Sequence, residues 1–209
     1  RIEDHSAATL TAAAELSGGV LYVPVSSLEE GAAIAAGYPC CSFRGSIVAL
    51  DASSGEELWR RHFIPPAEQH GVNAAGTPQY GPSGVPIWAG MAMDAEHLYI
   101  ATGDDYSGEG SETSDAIIAL DKASGRTVWV RQARFGDVWN GSCENVDPVN
   151  CPEDNGPDYD YGAGPVISED SQGRRIILAG DKGGVVTAMI AETGESLWKT
   201  KVGRGGVVA

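Results

Sequence analysis

Five carboxylates and one lysine lie in short loops next to glycines: Glu29 and Glu30, Asp104, the alternating pair Asp158 and Asp160, and Lys182. Carboxylate oxygens are the ligands a hard cation such as calcium takes, and a carboxylate placed beside a hydroxyl can act as a general base. Loop acids are more often only hydrated, so composition leaves both uses open. The four histidines, His5, His62, His70 and His97, have no Ser-His-Asp surroundings, which argues against a hydrolase. The four cysteines fall as an adjacent pair, Cys40-Cys41, and a spaced pair, Cys143 and Cys151, with no C-x-x-C-H haem motif and no C-x-x-C zinc pattern. That usage suggests disulfides in an oxidising compartment, with buried free thiols as the alternative.

The elements that must position these residues repeat. Gly45-Ser-Ile-Val-Ala-Leu-Asp51-Ala-Ser-Ser-Gly55-Glu-Glu-Leu-Trp59 is echoed by Asp115-Ala-Ile-Ile-Ala-Leu-Asp121-Lys-Ala-Ser-Gly125-Arg-Thr-Val-Trp129. A more worn copy runs from Gly184 through Gly194 to Trp198. The turn glycines Gly55, Gly125 and Gly194 stand 70 and 69 residues apart, each followed four residues later by tryptophan. Each copy reads as strand, turn, strand, and a further β-run precedes it, at 20–25, 97–101 and 175–179. A repeated antiparallel unit of about four strands is a propeller blade. The expected fold is therefore all-β, a β-propeller of about three blades forming one domain over 1–209, with units at roughly 1–63, 64–133 and 134–202. Insertions between the paired strands run from Ser26 to Arg44 and from Thr102 to Ser114, whereas the third unit turns tightly at 181–184. Such loops on a regular frame are where sites are built. The alanine-rich stretch from Ala7 to Leu16 is readable as a helix or as an approach to a strand.

Bulk properties narrow the function. With 42% hydrophobic and 21% charged residues, the chain is expected to be globular, and its apolar runs are strand-length, far below a membrane span. A formal net charge of −15 argues against a phosphate-backbone binder and suits either a basic electron-transfer partner or simple solubility. Both ends, at Arg1 and at Val207-Val208-Ala209, read as cut.

The unit Ala-Leu-Asp-x-x-Ser-Gly-x-x-x-Trp resembles the tryptophan-docking repeat of the eight-bladed pyrroloquinoline quinone (PQQ) dehydrogenases. The segments between the repeats are more specific: Val25-Ser-Ser-Leu-Glu-Glu30, Tyr38-Pro-Cys-Cys-Ser-Phe-Arg-Gly45, Gly136-Asp-Val-Trp-Asn140 and Gly156-Pro-Asp-Tyr-Asp-Tyr-Gly-Ala-Gly-Pro165. Together they are similar to the polyvinyl alcohol dehydrogenase subgroup, from Arg1 onward. The resemblance implies PQQ- and calcium-dependent oxidation of an alcohol, secondary or polymeric, with electrons passed to a cytochrome c in the periplasm. Haem c would then belong to a part of the protein outside these residues. It implies Glu30 and Asp104 as calcium ligands, with Glu29 competing for the first place. Asp160 is the implied base, with Asp158 as its rival and calcium favoured over a lanthanide because Gly162 follows two residues later. Lys182 would contact the quinone oxygens, Trp88 would form a strand-borne floor under the cofactor, and Thr11 and Ser27 would donate hydroxyls to its carboxylates. Trp59, Trp129 and Trp198 would pack between blades. Cys40-Cys41 matches the family's vicinal disulfide that covers the cofactor, although here it follows Glu30 in the chain; Cys143 and Cys151 would pair across a short loop. A non-catalytic propeller scaffold is the alternative, and the acidic loops argue against it.

Overall fold

The computed structural model describes residues 3–205, so Arg1, Ile2 and 206–209 lie outside it. Three antiparallel meander sheets follow one another. The first joins Val20–Ser27, Ser46–Asp51 and Glu57–His62, with the short strands Ala8–Thr9 and Glu15–Ser17 both pairing on Val20–Ser27. The second runs Met91–Met93, His97–Ala101, Ala116–Asp121, Thr127–Gln132. The third runs Val166–Glu169, Arg175–Gly180, Val185–Ile190, Ser196–Lys201.

The strands read as unbroken apolar runs because both faces of a blade are covered. In the second sheet Leu98, Ile100, Ile118 and Leu120 pack toward Tyr22, Ile47 and Ala49 of the first. The alternate residues Tyr99, Ala101, Ile117 and Ala119 pack toward Ile177 and Met189 of the third. This is the two-residue period of a strand used on both sides.

The repeated tryptophans hold one register. Trp59, Trp129 and Trp198 lie opposite Ala49, Ala119 and Ala188, and each pairing is followed by a one-residue shift. Nε1 of Trp59 donates to the Lys122 carbonyl at 3.1 Å, and Nε1 of Trp129 to the Ala191 carbonyl at 2.9 Å, the equivalent place one repeat later. Gly125 and Gly194 must be glycine on two counts. Both have φ +67°, and a Cβ at either would sit 2.6 Å from Cε3 of the preceding tryptophan. Trp198 has no such glycine after it among the described residues and is 47% exposed.

Ala7 to Leu16 forms no helix; it carries the two short strands Ala8–Thr9 and Glu15–Ser17. The α-helix instead is a single turn, Glu29–Ala32, inside the first long insertion. Two further pairings lay outside the repeat reading: the hairpin Glu68–Val72 with Pro78–Gly81, and Ser83–Gly84 with Asp105–Ser107. Both disulfides form, Cys40–Cys41 across a cis peptide and Cys143–Cys151 with its sulfurs 2.03 Å apart.

Candidate active site

The loops at Trp88, Asp104, Asp158–Asp160 and Lys182 come from different parts of the chain and meet. The tight turn between Arg175–Gly180 and Val185–Ile190 carries Lys182, whose amide donates to the Asp160 carbonyl at 2.8 Å and so fixes the two loops together. Lys182 Nζ lies 2.5 Å from Asp158 Oδ1 and 2.8 Å from Asp160 Oδ1. The same ammonium stands 5.1 Å from the centre of the Trp88 ring. Trp88 Nε1 donates to Asp160 Oδ2 at 2.8 Å, so Asp160 is gripped from both sides. Thr11 contributes from the first blade, its hydroxyl donating to the Trp88 carbonyl at 3.1 Å. Trp88 itself lies in the irregular segment before Met91–Met93 rather than on a strand.

Gly103 makes this closeness possible. A Cβ there would lie 2.8 Å from Asp160 Oδ2, 2.8 Å from Pro86 Cγ and 3.0 Å from Trp88 Nε1.

Asp104 is 2% exposed, and its carboxylate groups with those of Asp158 and Asp160, all within 4.8 Å of one another. Its Oδ1 is buried and accepts no hydrogen bond. Burial raises its pKa, and Asp160, Asp115 and Asp158 push it further in the same direction. Burial also raises Asp160, against the Lys182 charge and hydrogen bond. For Lys182 burial works against the charge, but Asp160 and Asp158 outweigh it and the pKa rises. The ammonium therefore stays charged throughout the range in which the acids titrate. Glu30 is pushed up to about 7, first by burial, with Lys182 opposing and Asp158 and Asp160 adding. Glu30 thus shares the field of this cluster without joining the group of three aspartates.

Glu29, the competitor of Glu30, is committed elsewhere. It is 0% exposed and accepts from Tyr38 Oη at 3.0 Å, the Ser42 amide at 2.9 Å, the Phe43 amide at 2.7 Å and Ser83 Oγ at 3.0 Å. Ser27 serves the same turn, its Oγ accepting from the Glu29 amide at 2.7 Å. The Cys40–Cys41 disulfide is fully buried in a cluster with Phe43, Val23 and Tyr106. It packs against Tyr106, whose pKa is raised by burial and further by the charges of Glu30 and Asp104. Cys143–Cys151 closes the loop in which Asn150 Nδ2 donates to the carbonyls of Ala33 and Ala35, holding that loop on the segment after the Glu29–Ala32 helix.

Sequence reasoning passed over Asp105, Asp115 and Asp137, all 0% exposed. Asp105 accepts from the Ser111 amide at 2.5 Å, and burial raises it to about 6. The one available signal was at Asp115, which stands where the other two repeats have Gly45 and Gly184.

Three successive antiparallel sheets packed face to face define the class, a β-propeller domain. The chain belongs to the PQQ family described as the glucose/ethanol/alcohol dehydrogenase β-propeller domain, which it matches over residues 22–147. It is 34% identical over 209 residues to a polyvinylalcohol dehydrogenase of a Pseudomonas species and 31% identical over 210 residues to that of Sphingopyxis sp. strain 113P3, covering 98% of this chain and 32% of each relative. The chain therefore spans about a third of the length of these curated relatives. Its fold is similar to that of a Pseudomonas putida quinohemoprotein alcohol dehydrogenase, with a TM-score of 0.66 at 21% identity over 95% of this chain and 29% of that one. A europium-containing methanol dehydrogenase gives a TM-score of 0.62 at 18% identity over 93% of this chain and 34% of that one.

Proposed function

We propose that this chain is the part of a PQQ-dependent alcohol dehydrogenase that holds the base and the cation ligands. The observation that carries the reading is Asp160, 2% exposed and clamped between Trp88 Nε1 and Lys182 Nζ. The residues fit the absent groups. Asp104 Oδ1 is a buried oxygen with no protein donor, as a hard cation requires, and Lys182 with the Trp88 ring offers a charge beside a flat aromatic surface. Glu30 and Asp104 would hold calcium, with Asp160 adjoining. When bound, PQQ supplies the two-electron acceptor and the cation the Lewis-acid charge.

The chain's own residues then do four things. Asp160, its basicity raised by burial, takes the proton of the alcohol hydroxyl at its carboxylate. Trp88 Nε1 and Lys182 keep that carboxylate from rotating away. Lys182 supplies a fixed positive charge where negative charge develops on an oxygen. Trp88 presents its ring as the floor, and Thr11 ties down the Trp88 backbone through its carbonyl. The substrate is an alcohol, secondary or polymeric, on the strength of the polyvinylalcohol dehydrogenase relatives. A cytochrome c acceptor and a periplasmic setting accord with the acidic charge and the two disulfides. A scaffold without chemistry would have no use for three clustered aspartates, two of them paired with one ammonium.

The test is Asp160→Asn beside Asp158→Asn in the full-length protein. Asp160→Asn should lower alcohol oxidation by about 10²- to 10⁴-fold while PQQ and calcium contents, measured on the purified protein, stay near those of wild type. Normal turnover in Asp160→Asn with an inactive Asp158→Asn would move the base to Asp158.

A further inference from the structure

A second group of carboxylates adjoins the first and shares Asp104 with it. Asp104, Asp115 and Asp137 are 2%, 0% and 0% exposed, and one oxygen from each lies within 4.8 Å of the others. Both oxygens of Asp115 are buried and receive no hydrogen bond of good geometry, and neither does Oδ1 of Asp104; the polar groups near Asp115 are the Asp104 carboxyl and the Ser114 hydroxyl, and no cation is among them. Buried carboxylates are ordinarily paired, hydrogen-bonded or bound to metal. Among the described residues no cation pairs with Asp104 or Asp115: Lys182 is committed to Asp158 and Asp160, and Arg134, its side chain 49% exposed, reaches Asp137 alone, at 3.8 Å. Asp137 is held in place as a ligand would be, its two oxygens accepting from the amides of Asp158 and Tyr159 at 3.0 Å each, with lone pairs left over.

The backbone adds a separate reason. Asp115 has φ +50°, in the left-handed region, and its counterpart in the third repeat is Gly184 at φ +80°. Glycine would occupy the position without strain, so an aspartate kept there is held for its side chain.

We infer that Asp104, Asp115 and Asp137 form a second site for a hard divalent cation such as calcium, with Asp104 bridging it to the site of Glu30 and Asp160. One oxygen from each residue lies within 4.8 Å of the other two, within the reach of a single cation that takes oxygen ligands. Charge points the same way. Glu30, Asp104, Asp115, Asp137, Asp158 and Asp160 carry six negative charges when all are ionised, and Lys182 and Arg134 offset two of them; one divalent ion then leaves two uncompensated, and a second leaves none. The site is made of protein groups alone and stands whether or not the chain oxidises alcohols.

The experiment compares calcium content in the full-length, PQQ-loaded protein at neutral pH, after metal removal, calcium titration by calorimetry and gel filtration. The variants are Asp115→Asn, which keeps the shape and tolerates left-handed backbone, and Asp115→Gly, which restores the residue of the neighbouring repeats. Each folded variant should hold one calcium per chain fewer than wild type. Glu30→Ala, run alongside, reports on the first site only, so failure there and failure here read differently. Wild-type calcium content in either folded Asp115 variant overturns the second site.

Discussion

Glu29 and Glu30 are neighbours on one helical turn, yet their substitution by glutamine should have opposite consequences. The Glu29 carboxylate receives four donors, from Tyr38, Ser42, Phe43 and Ser83. Glutamine keeps one acceptor oxygen and turns an NH2 toward donors, so about two of those bonds are lost inside the protein. At roughly 1.5–3 kcal/mol for each bond to a charged group, Glu29→Gln should cost about 3–6 kcal/mol. Glu30→Gln removes a charge that burial already disfavours and should leave stability within about 1 kcal/mol while lowering calcium content. Thermal unfolding of both full-length variants, with metal analysis, makes the comparison. Burial works to raise the pKa of Glu29, but the bonds from His5, Ser42 and Phe43 outweigh it and hold it below the ordinary glutamate value. A group depressed in this way stabilises fully above its unfolded pKa and loses the effect as pH falls through the folded one. The gap between wild type and Glu29→Gln should therefore close below about pH 4. Equal stability of the two proteins at pH 7, or a larger loss in Glu30→Gln, would refute this division of roles.

Gly103→Ala puts a methyl against Asp160, Pro86 and Trp88; we expect about a 10²-fold fall in kcat/KM, measured with a dye acceptor, for only ~1–3 kcal/mol of stability. Unchanged kinetics would show that the Trp88–Asp160 contact does not matter to the reaction. Trp129→Ala removes a ring packed on Gly194 and should cost ~3–5 kcal/mol; a midpoint within a degree of wild type would dismiss the docking argument. Replacing Cys143 and Cys151 together by serine opens a short loop and should cost about 2–3 kcal/mol, read as earlier proteolysis between Asn140 and Pro152.

The frame was readable because its signals are local and repeated: the Ala-to-Trp register recurs at 49/59, 119/129 and 188/198. The tight turn at Lys182 was also plain from 181–184. The helix Glu29–Ala32 was not, since four residues including Gly31 carry no period. Nor was the hairpin from Glu68 to Gly81, whose first strand is exposed throughout and so lacks an apolar alternation. The choice between Glu29 and Glu30 hinges on a direction of about 100° around one helical turn, and on donors from residues 38 to 83. Asp115 and Asp137 escaped notice because nothing in a linear reading says that carboxylates 22 residues apart share a buried space.

Trp59 seats in the notch of Gly125 and Trp129 in that of Gly194, and the two fittings are closely alike. Similar fittings identify their owner only weakly. The packing around each ring and the connectivity of the chain tell Trp59 to seek Gly125 rather than Gly194, and neither excludes the same notch on another molecule. During synthesis or refolding at high concentration, a ring from one chain can seat in its neighbour's notch, so mis-docked dimers are the characteristic failure of this architecture. The long loops between the strands take no part in that matching and can change in length and charge while the frame keeps its pitch.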